Sequence, residues 1–477
     1  MCADSNIKGS LQTDKDGVKE TYPFDNVDEI ILNAKLDNLN GNGGSEPISK
    51  NIVDVTDFGA VGDGETDDYQ AIMDAIEYCV ENNIKSVYFP ARDCYALENV
   101  ISLQDEKYSG LQLVSDGAIL KANSTDCHTC FEVVGRNDGE VISDIQIHGL
   151  KFDANSSELN TGHQRGVHFW TDEGNIDNVI VTNVYTTGSD FAGLVVGGDN
   201  FIVTNYKAEN HQGHGLSVGS SAGKKIILSN ITAINCGLRG GYYGINLRSG
   251  WVILDDFYID KCDYGLKTSL YNPHVNLSNG FVTNSNMDGI RIVQGSNVYM
   301  DNIITYRNGR RGFEFRHGIK MQAGTLVSWE DDWLSKAGNE GCFFVDNSED
   351  WQEFNVDKLI IRGLGDTRGF RIYPDNVRIG YLEMNNTSQE SYFYGDNVLV
   401  SSGYIHNNTG YPVYQKGDKT TFRDIKWEGK NAIYVSGGTG LRLFNNDFSE
   451  VENPLSGDAL KGDFVIRDCI GLKDKKI

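Results

Sequence analysis

Asp288 and Glu314 stand one sequence repeat apart, with Asp263 one repeat earlier and His274 in the segment between. Paired carboxylates are what glycoside hydrolysis uses: one protonates the leaving oxygen, the other acts as base or nucleophile. A histidine beside them can move a proton or hold an anion near neutral pH. Around these acids lie Lys267, Arg291, Arg316 and Arg248, with Asn246 in the same series and Trp170 and Tyr271 as aromatic neighbours. Cationic forks edged by aromatic rings suit an extended, anionic glycan or polyol phosphate. Asp288 and Glu314 are therefore the expected carboxylate pair, assisted by His274. Lys267, Arg291 and Arg316 are the expected holders of the anion. The plainer alternative for this stripe is a solvated face whose bases pair with acids on neighbouring repeats.

Such residues meet only if the chain stacks them, and a repeat supplies the stacking. From about residue 160 a Gly-apolar-variable-apolar pattern recurs, as in G-V-H-F at Gly166, G-L-V-V at Gly193, G-I-N-L at Gly244, G-I-R-I at Gly289 and G-F-E-F at Gly312. The steps run from 21 to 29 residues through Gly369. Between them recur strands ending in Asn, such as V-I-V-T-N at Val179, F-I-V-T-N at Phe201 and V-N-L-S-N at Val275. Short alternating strands turned by Gly and Asn, which both tolerate the left-handed conformation, form rungs of a parallel β-solenoid of about 15 coils. Aligned on the glycine, the position two residues later is expected to point outward. It reads His168, Val195, Ser217, Asn246, Lys267, Arg291, Glu314, Phe343 and Arg371. Trp170, Arg248, Val293, Arg316 and Tyr373 follow two residues further on.

The segment before the coils reads V-D-V-T-D-F-G-A-V-G-D-G-E-T-D-D-Y over 53–69, then Q-A-I-M-D-A-I-E-Y-C-V, then S-V-Y-F-P over 86–90. Thr66, Asp67 and Asp68 are helix-start residues, and Ala71, Ile72, Ala75, Ile76, Cys79 and Val80 form a helical apolar stripe that can close the solenoid's end. This segment resembles the entry motif of the pectate-lyase-like right-handed β-helix superfamily. The resemblance implies an all-β, right-handed parallel β-helix (a pectin-lyase-like solenoid) with an N-terminal capping helix. It covers roughly residues 51–470, and the β-helix domain is expected over 51–477, with 51–90 as entry motif and cap. Lyases, hydrolases, epimerases and phage tailspikes share that fold, so it does not decide activity. T-S-L-Y-N-P-H over 268–274 is similar to the Y-x-x-D-P-H motif of β-helical alginate epimerases: Pro273 and His274 match, Asn272 replaces the acid and Ser269 the tyrosine.

Residues 1–50 stand outside the repeat. L-Q-T-D-K-D-G-V-K-E-T-Y-P-F-D-N-V-D-E-I-I-L over 11–32 resembles leaders at the front of tail, neck-appendage and fibre proteins of phages infecting Gram-positive bacteria, and 38–49 reads as a linker. The resemblance implies a virion-attachment arm that contacts phage tail or collar proteins, and commonly a homotrimer. The expected function is a tailspike or receptor-binding protein, in the virion tail, that binds and in the stronger form depolymerises a host surface glycopolymer. Wall teichoic acid is favoured, and hydrolysis over lysis. The alternatives are a secreted polysaccharide lyase or uronate epimerase of the pectate-lyase type, and a non-catalytic adhesin.

Composition bounds the partners. The 477 residues carry 67 acids against 42 Lys and Arg, a formal charge of −25. That balance argues against nucleic acid, and no apolar run reaches the ~18 residues of a membrane span. Nine scattered cysteines, with Cys236 and Cys262 after apolar strands, suit reduced core thiols. Cys127 and Cys130 lack the partners of a zinc site, and His211, His214 and Asp190 are too scattered for a metal assignment. No metal or cofactor is assigned, with a divalent cation left as an open addition.

Overall fold

A computed structural model describes residues 52–477, except 160–161, 220–224, 335–340, 348–350, 366, 388, 458–462, 473–474 and 477. The expected attachment arm over 1–50 lies outside the described residues. Strands link into one sheet that winds as a parallel β-helix. Among the described residues neighbouring coils pair in parallel, apart from an antiparallel contact of Val465–Arg467 with Lys475–Lys476. The register gives a direct coil count. One outward stack runs Ser102, Glu132, His168, Val195, Ser217, Asn246, Lys267 and Arg291. It continues through Glu314, Phe344, Arg371, Tyr392, Tyr414, Tyr434 and Ser456, fifteen coils in all.

The core is narrow and follows the alternation. Val167, Leu194, Leu216, Ile245, Leu266, Ile290 and Phe313, each one residue after a repeat glycine, are fully buried. Phe131, Phe169 and Phe201 stack edge-to-face within it, and further on Phe343 packs tilted against Phe313 and edge-to-face against Phe354. Cys236 and Cys262 lie in this core as expected. Among the described residues no helix is long and apolar enough to cross a membrane.

The entry segment closes the end of the helix. Ile72, Ala75, Ile76 and Cys79 of α1 (Tyr69–Glu81) are buried in the same cluster as Val53, Val55, Val87 and Phe89, with Ala71 and Val80 packed at its edge. The acids of the motif hold turns more than they cap the helix. Asp63 accepts from the Glu65 and Thr66 amides at 2.9 and 2.8 Å, while Asp68 makes no capping bond and takes the Val61 amide at 2.5 Å. Thr66 and Asp67 belong to the strand Asp63–Asp67, and of the three expected helix-start residues Asp68 stands at the N-cap position, directly before Tyr69. Its side chain makes no cap because the Gly59–Gly64 turn points the Val61 and Gly62 amides at it and draws the carboxylate away from the helix.

Glycine and asparagine divide the labour differently from expectation. The asparagines do make the left-handed turns: Asn183, Asn205, Asn230, Asn279 and Asn302 have φ of 50–54°. Their amides also form ladders, Asn205 to Asn183 at 2.9 Å and Asn230 to Asn205 at 2.7 Å. The repeat glycines from Gly166 to Gly312 have ordinary negative or extended φ. They are glycine because coils approach too closely for a side chain. A Cβ on Gly265 would lie 2.1 Å from the Gly289 carbonyl oxygen and 2.4 Å from Val282 Cγ1.

Two predictions follow from this packing. Gly265→Ala must push backbone from backbone, so it destabilises by about 1–3 kcal/mol or more, read as a lower urea midpoint; an unchanged midpoint contradicts the close-approach account. The second concerns Asp331, fully buried among the Thr305 and Ser328 hydroxyls (2.5 and 2.7 Å) and the Asn308 amides (2.9 Å). Burial raises its carboxyl from 3.8 to about 6, against the pull of those hydrogen bonds. A raised folded value favours the protonated form, so the contribution is fully present below about pH 4 and lost as pH rises through 6. About two units correspond to roughly 3 kcal/mol. Asp331→Asn keeps the shape and removes the charge. Its stability relative to the parent protein therefore rises from pH 4 to pH 7 in parallel denaturation curves.

Candidate functional site

The outward stack and the positions beside it form one continuous surface. At the early coils it dips into a cleft of about 290 Å³ lined by Arg165, His168, Trp170, Phe191, His214, Ser217, Asn246 and Arg248. The His168 and Trp170 rings stack, 5.9 Å apart at 13°, and Arg165 lies 4.5 Å from the Phe191 ring. His214 Nδ1 accepts from the Tyr243 amide, so Nε2 of the neutral ring carries the proton, 3.3 Å from the Asn246 side-chain amide; Arg165 Nε is buried without a hydrogen-bond partner. Buried polar atoms usually find partners, so Arg165 Nε is available to a ligand. Burial, with Arg165 next, pushes the His168 imidazole down to about 3, and burial pushes His214 down to about 4. Both rings are neutral near pH 7 and serve as neutral hydrogen-bonding walls.

The next coils carry the charge. Lys267 stacks above Asn246 and Arg291 above Lys267. Burial, then Arg291 and Arg248, lower the Lys267 ammonium from its usual range. Glu314 follows, fully buried, and four guanidinium groups converge on it. Arg291 Nε lies 2.6 Å from Oε2, Arg311 Nη1 and Arg316 Nε each 2.5 Å from Oε1, and Arg310 Nη2 3.7 Å from Oε2. Asp288, also fully buried, is gripped by Arg310 through Nε at 2.6 Å and through Nη2, with Arg311 Nη1 at 3.7 Å. Aromatic rings support the cations: Phe344 lies 5.0 Å from Arg311 and 5.6 Å from Arg316, and Tyr243 lies 5.2 Å from Lys267.

The structure thus gathers Trp170, Asn246, Arg248, Lys267, Arg291, Asp288, Glu314 and Arg316 on one face. It does not add His274, which lies seven positions past Lys267 in the strand Tyr264–Thr283 and in another stack, between Trp251 and Asn297. There its ring sits 5.2 Å from the Trp251 ring and bonds Asn297 Nδ2 at 3.3 Å. Asp263 holds a turn, accepting from the Gly241 amide at 2.6 Å and Asn286 Nδ2 at 2.9 Å. The Tyr271 side chain lies outside the described residues. Asp288 and Glu314 are under the arginines, with no carboxylate oxygen turned outward.

The alignment on glycine misplaces one coil. Phe343 pairs with Phe313 and Phe370 in the core, and Phe344 takes the outward place. Gly312 donates to the Cys342 carbonyl, so Cys342 occupies the position assigned to Gly341. Arg165, His214, Tyr243, Tyr264 and Arg311 were also outside the expected set. All but Arg311 occupy one paired register, the position before the repeat glycine, and Arg311 precedes Gly312 in the same way. Reading that column would have found them. His211 is buried and bonded to Ser189 and Thr186, away from the cleft.

Removing one buried carboxylate while its guanidinium partners remain is costly. Glu314→Gln is expected to destabilise the protein by about 3–5 kcal/mol, measured by chemical denaturation. A loss under 1 kcal/mol contradicts the view that Glu314 is the counter-charge of the array.

Residues 52–267 match the family model described as rhamnogalacturonase A/epimerase, pectate lyase-like. No curated protein sequence matches the chain. Among solved structures, the N-terminal fragment of gene product 12 of bacteriophage Phi29 is similar at 13% identity and a TM-score of 0.50, over 93% of this chain and 73% of that one. The A-module of mannuronan C-5 epimerase AlgE6 of Azotobacter vinelandii shares 16% identity over 89% of this chain and all of that one, at a TM-score of 0.43. The enzymatically active domain of tailspike protein 2 of bacteriophage CBA120 shares 15% over 70% of this chain and 52% of that one, at 0.41. These likenesses are of fold: the chain is a parallel β-helix whose first half carries the pectate-lyase-like pattern.

Proposed function

We propose that this face binds an extended anionic glycopolymer of a bacterial cell surface, with wall teichoic acid the favoured case. The chain then serves as a phage tailspike or receptor-binding protein, a homotrimer attached to the virion tail through residues 1–50. One observation carries the reading. On a chain of formal charge −25, Arg291, Arg310, Arg311 and Arg316 converge on two carboxylates, Asp288 and Glu314, and Lys267 is the coil neighbour of Arg291. Five cations against two anions leave a local excess of positive charge that the net charge of the chain conceals. Arg248 and Lys267 have no carboxylate partner among the described residues, and guanidinium forks match phosphate and carboxylate geometry.

The buried acids fit a counter-charge role better than an acid–base pair. A general acid needs an oxygen turned toward the bond it cleaves. Each oxygen of Asp288 and Glu314 faces a guanidinium instead. The reading is therefore of binding first, with Asp288 and Glu314 as positioning residues for the arginines. The second reading is a uronate-polymer lyase or epimerase, which the family description over residues 52–267 favours.

One incubation separates these readings. The protein is mixed with purified wall teichoic acid and, separately, with polygalacturonate, and both binding and products are followed. Teichoic acid retained intact is the expected result; phosphate-containing fragments add depolymerisation to the same reading. Unsaturated products from polygalacturonate support the lyase instead, and retention of neither polymer overturns the groove. Arg291→Gln lowers teichoic acid affinity at least roughly tenfold, the worth of one charge-assisted hydrogen bond. The affinity also falls with added salt.

A further inference from the structure

Past Phe344 the outward stack changes character. Arg371 is followed by Tyr392, Tyr414 and Tyr434 on successive coils. Beside them stand Tyr373 and Tyr394, whose rings stack 4.1 Å apart at 7°. The Tyr392 and Tyr414 rings are 5.0 Å apart, and those of Tyr414 and Tyr434 4.8 Å. Like rings on adjacent coils stabilise each other, so a tyrosine stack alone needs no ligand.

Two cations set this stack apart from ordinary cross-coil packing. Lys416 places its ammonium 4.9 Å from the Tyr392 ring and 4.8 Å from the Tyr394 ring. Arg371 lies 5.2 and 5.8 Å from the same two rings. Neither cation has a carboxylate partner among the described residues, and Arg371 Nε is buried with no hydrogen-bond partner. The chain has 67 acids against 42 bases, yet Lys416 lies on rings and Arg371 on rings and the Tyr373 hydroxyl. The Tyr392, Tyr394, Tyr414 and Tyr434 rings are only partly buried. Ring faces and the two cations thus stand side by side, with Glu390, paired to Arg368 at 3.3 Å, an acid beside the same Tyr392 and Tyr414 side chains.

The place in the fold says what lies there. Arg371 is five coils beyond Asn246 in one unbroken stack, a distance of about 24 Å at one strand spacing per coil. A polymer seated in the cleft and across the arginine array continues onto this surface without a change of direction. We propose that the Arg371–Tyr434 ladder is a second station for that polymer. It takes a repeating unit carrying both a sugar ring, to lie on tyrosine, and an anion, to meet Lys416 and Arg371. The inference rests on the groove reading above and adds the ring to it. Two linked stations raise affinity through effective concentration, so the gain belongs only to chains long enough to span both.

Three polymers test this. Glucosylated poly(glycerol phosphate) carries rings and phosphodiesters, polygalacturonate carries rings and carboxylates, and unglycosylated poly(glycerol phosphate) carries charge without rings. The exposed Lys416→Gln variant leaves the core untouched, and Tyr394→Leu removes a ring while keeping bulk; thermal midpoints confirm that both are folded. Each variant is expected to weaken binding of a ring-bearing polymer about tenfold, a fraction of what linked stations contribute. The polymer affected names the anion. Fragments shorter than the ~24 Å between the stations, and the ringless polymer, bind the variants as they bind the parent protein. Variants that change no polymer, or weaken all three alike, overturn the second station. If the parent protein binds none of the three, the groove reading itself falls; if Arg291→Gln abolishes binding while the ladder variants do not, only the ladder falls.

Discussion

Successive coils lie one strand spacing apart, about 4.8 Å, and the rest of the molecule answers to that distance. It leaves no room for a Cβ between the Gly265 backbone and the Gly289 carbonyl, which is why glycine recurs where a turn does not ask for it. It also brings each side chain against its counterpart on the next coil. Apolar residues then gain core packing, asparagines gain amide ladders, and aromatic rings stack. Cations in the same situation repel. Lys267 beside Arg291 and Arg248 shows the cost, its ammonium lowered by burial and by those two neighbours.

The buried carboxylates are best understood as the answer to that repulsion. An array of Arg291, Arg310, Arg311 and Arg316 on adjoining coils is untenable without anions beneath it. Glu314 and Asp288 supply these, each reaching more than one guanidinium. Two acids under four arginines and a lysine hold the array together without neutralising it. A fully matched set would be a stable but inert ion-pair network. The imbalance leaves the surface locally positive, the property on which the proposed binding of a polyanion rests.

Much of this was legible in the residues, and the failures have physical causes. The glycine spacing placed Asn246, Lys267, Arg291 and Glu314 in one stack, because parallel coils preserve register as long as each has one glycine-led strand. It slipped at Cys342, where the glycine sits one residue early and turns left-handed at φ 86°. His274 was misjudged for a different reason. Tyr264–Thr283 runs on through a corner, and nearness in sequence to Lys267 conceals a move to another stack. The burial of Asp288 and Glu314 was not readable at all, since it depends on Arg310 and Arg311 folding back over Asp288 from the following coil and over Glu314 along their own.

Those two arginines also bear on why the acids point to binding. Arg310 and Arg311 precede Gly312 and lie on the coil after Asp288, so they reach down to Asp288 and across to Glu314 at once. A carboxylate held on several sides by guanidinium cannot turn toward a glycosidic oxygen without breaking a buried ion pair. The cost of that break, several kcal/mol, would be added to any barrier it was meant to lower. Cleavage by this pair would need the array to open, and the rings of Phe344, Tyr264 and Tyr243 that brace the cations oppose such opening. The same rigidity is an advantage for holding a polymer, because donors fixed before the ligand arrives lose little freedom when it binds.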